Sequence, residues 1–298
     1  MDEVYSAELD LAERAVALAR AEKPAYSHFY PFLERLFTAR VAAKAKIALP
    51  VPEIPQGLRK AGWESGTPLL NRWDFPIDVD AAEGVLLGLG DNLPQEDLQF
   101  ATAHSALVRA LSSAAGEKQR LWNGFLHHEM EPWEEWIDTA TVDLASFLFI
   151  GRCSVRPSIK WISERLMSAG PPPEGWFKGY CPVCGSLPSL LFLEGEGERR
   201  AYCSWCGNIW GLHRLQCPFC DNRLHESMGY LGIEAEPQHR IHYCNLCKVY
   251  FKQIDTRELA YPPYLPLEEW TTLHLDLVAQ REGWKQAPSL SPAVHGKE

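Results

Sequence analysis

The 298-residue sequence has no long hydrophobic run. Its longest plain stretch, Leu144 to Ile150 (LASFLFI), falls far short of the roughly 20 residues that span a bilayer as a helix, so no membrane span is expected. Positive charge is scarce too: 29 Lys and Arg stand against 39 Asp and Glu, a formal charge of -10. That balance argues against a nucleic-acid partner, because phosphate contacts need clustered basic side chains. The opening Met1, Asp2 and Glu3 lack the basic-then-apolar order of a secretory signal, and the expected location is cytoplasmic. A glycine-rich phosphate loop and a Gly-x-Ser-x-Gly elbow are missing, and no catalytic constellation is found. What is present, 46% hydrophobic and 23% charged residues, suits a globular chain able to bury a core.

The first 170 residues read as helical. Ser6 to Ala21 forms one helical stretch, and Pro24 breaks it from the next. There Phe29, Phe32, Leu33, Leu36, Phe37 and Val41 recur at the three- and four-residue steps of one apolar face. Pro50, Pro52 and Pro55 mark a connection, and Pro68 and Pro76 bracket a second irregular stretch. Gln95 to Ala115 places Leu98, Ala101, Ser105, Val108 and Leu111 at helical spacing. Leu121 to Ile150 and Ser158 to Met167 extend the pattern to about six helices. Gly170, Pro171, Pro172, Pro173 and Gly175 then interrupt the chain. Residues 1 to 176 hold 17 basic and 25 acidic side chains, whereas residues 177 to 255 hold 8 of each, which supports a boundary there. Beyond Pro262, Pro263 and Pro266, a helix is expected from Leu267 to Glu282, followed by a polar tail.

Eight of the nine cysteines lie between residues 181 and 247. They form four Cys-x-x-Cys pairs, Cys181/Cys184, Cys203/Cys206, Cys217/Cys220 and Cys244/Cys247, separated by 18, 10 and 23 residues. In a reducing compartment such clustering points to metal or redox chemistry rather than disulfides. Two cysteines three apart aim both sulfurs at one ion from a tight turn, and a second such turn across a hairpin completes four thiolates. Leu190 to Leu193 and Met228 to Ile233 have strand character, so each half reads as knuckle, hairpin, knuckle. Gly185 and Gly207 follow two knuckles, where positive φ is favoured; Asp221 and Lys248 stand at the equivalent positions in the other two. The hairpin-length gaps favour pairing first with second and third with fourth, with a cross-braced arrangement left open. Tetrahedral thiolates suit zinc or a single iron. Two divalent ions would carry the total charge to about -14, two ferric ions to about -12.

Other candidates are weaker. His127, His128 and Glu129 lack the partners of a metal motif, and Cys153 reads as a buried small residue. His213, His225, His239 and His242 lie near the cysteines, where outer-shell or surface roles are expected. Trp205 and Trp210 are read either as partner contacts or as packing against the hairpin.

The segments GYCPVCGSLPS, YCSWCGNIW, HRLQCPFCDN and YCNLCKVYFKQID resemble the formate dehydrogenase accessory protein FdhE family. HFYPFLERLF, PLLNRWDFPID, RPSIKWISERL and LEEWTTLHLDLVAQREGW are similar to that family's helical parts. The resemblance implies an α+β protein: a helical domain (1–170), two rubredoxin-like or zinc-ribbon modules (177–214 and 215–255), and a C-terminal helix and tail (256–298). It implies two mononuclear tetrathiolate ions, iron favoured and zinc possible. One would be held by Cys181, Cys184, Cys203 and Cys206, the other by Cys217, Cys220, Cys244 and Cys247. It further implies a cytoplasmic, non-enzymatic maturation factor that binds the catalytic subunit of a molybdenum- or tungsten-dependent formate dehydrogenase. The alternatives are a rubredoxin-like one-electron carrier and a zinc-ribbon nucleic-acid binder.

Overall fold

A computed structural model describes residues 3–90, 98–127, 129, 131–138, 141–170, 172 and 176–289. Residues 95–97, 128, 171, 173–175 and 290–298, which carry parts of the expected helix, histidine cluster, boundary and tail, lie outside the described residues. The fold is α+β, helical first, then a sheet carrying the cysteines, then C-terminal helix. Two compact units are formed, one from residues 1–51 and 73–162, the other from residues 52–72 and 163–298.

The first unit is built from α1 (Glu3–Glu22), α2 (Tyr30–Lys44), α4 (Val79–Leu89), α5 (Leu98–Ser113), α6 (Lys118–His127), α7 (Glu131–Glu134) and most of α8 (Leu144–Ser168). Phe32, Leu33, Leu36, Phe37 and Val41 bury the expected face of α2. On α5 the expected stripe is displaced: Ala103, Leu107 and Ala110 are buried with Leu111, whereas Leu98 and Ser105 are exposed. Ala103, Ala106 and Ala110 share that contact with Leu107 and Leu111. Trp122, Phe125, Trp133 and Phe147 form an aromatic core, with Phe125 centroids 5.0 Å from Trp133 and 5.2 Å from Phe147. Gly151 on α8 makes room for it, since a Cβ there would sit 2.0 Å from the Phe125 ring.

Sequence pattern divides Leu144–Ile150 from Ser158–Met167, yet α8 runs through both with Pro157 inside it. Proline lacks the N–H that would reach back four residues to the carbonyl of Cys153. Arg40 Nε of α2 donates to that carbonyl at 3.2 Å, so the acceptor is satisfied and the helix continues. Glu8 of α1 ties the same elements together, pairing with Lys44 Nζ at 2.5 Å and with Lys160.

The second unit contains α3 (Gln56–Ser65) and one mixed sheet. Strands β1 (Leu190–Glu194), β2 (Glu198–Tyr202) and β3 (Ile209–Gly211) form an antiparallel meander around the first two cysteine pairs. Strands β4 (Met228–Ile233), β5 (Glu236–Cys244) and β6 (Val249–Asp255) repeat it around the second two. The two meanders fuse through parallel pairing of β1 with β6, giving the order β3-β2-β1-β6-β5-β4. A short β7 (Lys285–Gln286) pairs with the start of β6. Every residue of β6 is buried, as expected of a strand covered on both faces. Leu190, Phe192, Tyr202 and Ile254 form one core cluster; Ile241 and Tyr250 form another with Leu275 and Ala279.

The terminal helix expected over Leu267–Glu282 is two helices, α9 (Leu265–Trp270) and α10 (Leu273–Arg281). Thr272, at φ -125° and ψ 17°, is the break. Its hydroxyl donates to the Glu268 carbonyl at 2.5 Å, and Thr271 does the same to Leu267 at 3.3 Å. These side chains compete with the backbone for helical acceptors. Glu268 is fully buried, its carboxylate taking the Tyr261 hydroxyl at 2.5 Å and lying 3.1 Å from His239 Nε2.

Candidate metal centres

Each Cys-x-x-Cys pair is built on the same backbone turn. The amide four residues after the first cysteine donates to that cysteine's carbonyl: Gly185 to Cys181 and Lys248 to Cys244 at 2.9 and 2.8 Å, Gly207 to Cys203 and Asp221 to Cys217 at 2.8 and 3.0 Å. All four donors have positive φ, Gly185 72°, Gly207 75°, Asp221 56° and Lys248 62°. The glycine pattern looked weaker in the second half, yet the backbone is the same; there a side-chain residue bears the left-handed strain. In three knuckles the first cysteine's own amide donates onward, Cys181 to Ser186 and Cys217 to Asn222 at 2.8 Å, and Cys203 to Asn208 at 3.0 Å.

The turns bring the sulfurs together in two sets. Cys181, Cys184, Cys203 and Cys206 form one, and Cys217, Cys220, Cys244 and Cys247 the other, with all sulfurs of a set within 4.8 Å of one another. Facing sulfurs are 3.5 Å apart in the first set (Cys181–Cys206 and Cys184–Cys203). In the second they are 3.7 Å (Cys217–Cys247) and 3.8 Å (Cys220–Cys244). A tetrahedral ion with metal–sulfur bonds of about 2.3 Å places its sulfurs about 3.8 Å apart, so both sets fit such an ion. Disulfides they are not, since those require sulfurs about 2.05 Å apart. The pairing is first with second and third with fourth, and both sets consist of cysteine alone.

Electrostatics point the same way. Burial pushes the Cys181, Cys206 and Cys217 thiols well up, and Cys247 up to about 12. At Cys244 burial is outweighed by the amides of Cys247 and Leu246 and the Asn222 side chain, which hold it down to about 7. Four thiols this close cannot all ionise by themselves; a cation among them makes the four-thiolate state stable.

The nearby histidines stand apart from both sets. His239 pairs with Glu268, His213 stacks on Phe177 at 4.2 Å, His242 is buried with its ring 5.2 Å from Tyr230, and His225 is exposed in a short turn. Cys153 is buried in α8, and burial raises its thiol pKa. Trp205 and Trp210 are 8% and 2% exposed, so the reading of them as partner contacts gives way to packing. Trp210 Nε1 donates to the Lys178 carbonyl at 2.9 Å.

Several supporting residues carry no motif and were missed in the sequence. Leu69 and Leu70 amides donate to the carbonyls of Pro182 and Val183 at 3.0 and 2.9 Å, the two residues between Cys181 and Cys184. Trp63 Nε1 reaches the Pro182 carbonyl at 3.2 Å, and the Arg72 guanidinium lies 4.1 Å from the Trp205 ring centroid. Arg199 of β2 is buried and donates to the carbonyls of Gln216 (2.7 Å) and His213 (3.2 Å), fixing the link between the cysteine hairpins. Leu69, Leu70 and Arg72 fall within PLLNRWDFPID, a segment that carries the family resemblance but that by itself assigns them no role.

Fold and site together define a helical protein with two tandem four-cysteine ribbon modules sharing one sheet. No protein-family model matches the chain. An FdhE homolog of Aquifex aeolicus is 41% identical over 117 residues, 37% of this chain and 40% of that relative. An FdhE homolog of Haemophilus influenzae is 27% identical over 39% of its own length; the chain thus matches less than half of either relative. An FdhE homolog of Erwinia tasmaniensis is 23% identical over 279 residues, 88% of this chain and 90% of that one. The crystal structure of the FdhE protein from Pseudomonas aeruginosa shares the fold, with a TM-score of 0.64 over 96% of this chain and 97% of that one at 17% identity. These findings support the FdhE family, the resemblance the cysteine segments carry.

Proposed function

We propose that the chain is a non-enzymatic, cytoplasmic accessory factor that binds the catalytic subunit of a molybdenum- or tungsten-dependent formate dehydrogenase during its maturation. The name shared by its relatives supports the formate dehydrogenase link. The observation that carries the metal-dependent part is the pair of four-sulfur sets at tetrahedral spacing. Cys181, Cys184, Cys203 and Cys206 would hold one ion and Cys217, Cys220, Cys244 and Cys247 the other, within modules 177–214 and 215–255. Iron is favoured by the family resemblance, with zinc as the alternative; an iron centre would add one-electron chemistry, a zinc centre only structure. Between residues 1 and 170 the helical domain would supply binding surface. Among the described residues no helix is long and apolar enough to cross a membrane.

Co-purification tests the partner. Tagged chain is expected to retain the catalytic subunit in its cofactor-free or cofactor-loaded form. Failure to retain either, with the metal fully loaded, would sink the reading.

A further inference from the structure

The two sulfur sets are alike in geometry and unlike in cover. Cys181, Cys184, Cys203 and Cys206 are all buried; in the second set Cys217 and Cys244 are buried, Cys247 is half-buried and Cys220 is exposed. The cause lies in what rests on the dipeptide inside each knuckle. Leu69, Leu70 and the Trp63 indole hydrogen-bond to Pro182 and Val183, and Arg72 lies against Trp205 between Cys203 and Cys206. Tyr180, next to Cys181, donates its hydroxyl to the Gly66 carbonyl at 2.7 Å. An excursion of the chain, residues 52–72, thus closes the first set.

The second set has thinner cover. Between Cys244 and Cys247, Asn245 is exposed and Leu246 is 68% exposed. Phe219, between Cys217 and Cys220, is half-buried. Asp221, Arg223 and Leu224, which follow Cys220, are exposed as well. Each knuckle of this set has one anchor, Gly179 packed on Pro218 in the first and the Asn245 amide bonded to the Ser227 carbonyl at 2.7 Å in the second. Cys220 is left exposed and Cys247 half-buried.

We infer that the two sets divide their work. The Cys217/Cys220/Cys244/Cys247 set is the exchangeable centre, which surrenders its ion to a soft external ligand and presents Cys220 and then Cys247 to thiol-directed chemistry. The Cys181/Cys184/Cys203/Cys206 set is closed and holds the fold. An incoming sulfur or nitrogen ligand must reach the ion along a path that a thiolate vacates, and among the described residues it is the second set that has an exposed cysteine on such a path. In exchange the ion passes to the competing ligand and protons from solvent neutralise the released thiolates, with no change of oxidation state. This inference rests on both sets holding an ion.

The test uses the full chain reconstituted with zinc, challenged with the coloured chelator 4-(2-pyridylazo)resorcinol, and pulse-alkylated with iodoacetamide for peptide mapping. One equivalent of zinc is expected to leave first, with the other slower by on the order of tenfold or more. Alkylation should mark Cys220 first, Cys247 next, and the first set last. Release of both ions at one rate, or earlier labelling of Cys181 to Cys206, overturns the inference. A chain that binds fewer than two zinc ions defeats the underlying metal assignment instead. Alkylation order in the metal-free form of that chain still decides the difference in access, with uniform labelling of all eight thiols counting against it.

Discussion

Pro157 and Arg40 show how one residue's deficiency becomes another's function. Proline leaves the Cys153 carbonyl open within α8, and Arg40 fills it from α2. Arg40→Met should cost about 1 to 2 kcal/mol, since it orphans a buried acceptor, and distinctly less when Pro157→Ala restores the helical N–H. Denaturant unfolding of both single variants and the double variant measures that coupling. Gly179 makes a harder demand: a Cβ there would lie 1.9 Å from the Pro218 carbonyl oxygen. Gly179→Ala should therefore lose about 1 to 3 kcal/mol, while Gly232→Ala, with nothing within 4 Å, should change stability by under about 0.5 kcal/mol. At this scale sequence was informative for the cysteines, whose spacing repeats four times. It was silent on Arg40, Gly179 and Arg199, because their partners lie 113, 39 and 17 residues away or are backbone atoms that any residue would supply.

At the scale of elements, α1, α2 and α8 meet around Glu8, whose carboxylate sits between Lys44 and Lys160. Burial there works against ionisation, but the two ammonium groups outweigh it and hold the carboxyl below its usual range. The stabilisation is thus present above the ordinary carboxylate pKa and disappears as pH falls through the lowered value. Glu8→Gln should cost on the order of 2 kcal/mol at neutral pH, and the gap to the parent chain should narrow in acid. Urea midpoints of the two chains across the acid range check the sign. The boundaries of elements were harder to read than their existence. Apolar periodicity located α2, yet on α5 it selected a stripe of which Leu111 is buried while Leu98 and Ser105 are exposed, the packing being shared by Ala103, Ala106, Leu107 and Ala110. It also joined α9 to α10, because the break comes from two threonine hydroxyls rather than from glycine or proline.

Taken whole, the molecule comprises one unit, helical over its described residues and with an ordinary apolar core, and a second whose sheet carries both four-sulfur sets. The parallel pairing of β1 with β6 joins the two cysteine hairpins into one sheet, which a repeat in sequence does not disclose. Residues 52–72 likewise leave a helical neighbourhood in sequence and fold with the sheet unit, a long-range placement carried by Trp63, Leu69 and Leu70 rather than by any local signal. The most direct measurement of the central claim is metal content of the full chain set against its thiol count, with Cys184→Ser and Cys244→Ser as one-set variants. Two ions per chain and one in each variant, with the remaining set's four thiols protected, is the predicted result. Eight freely reactive thiols in a folded chain that carries no metal would contradict it.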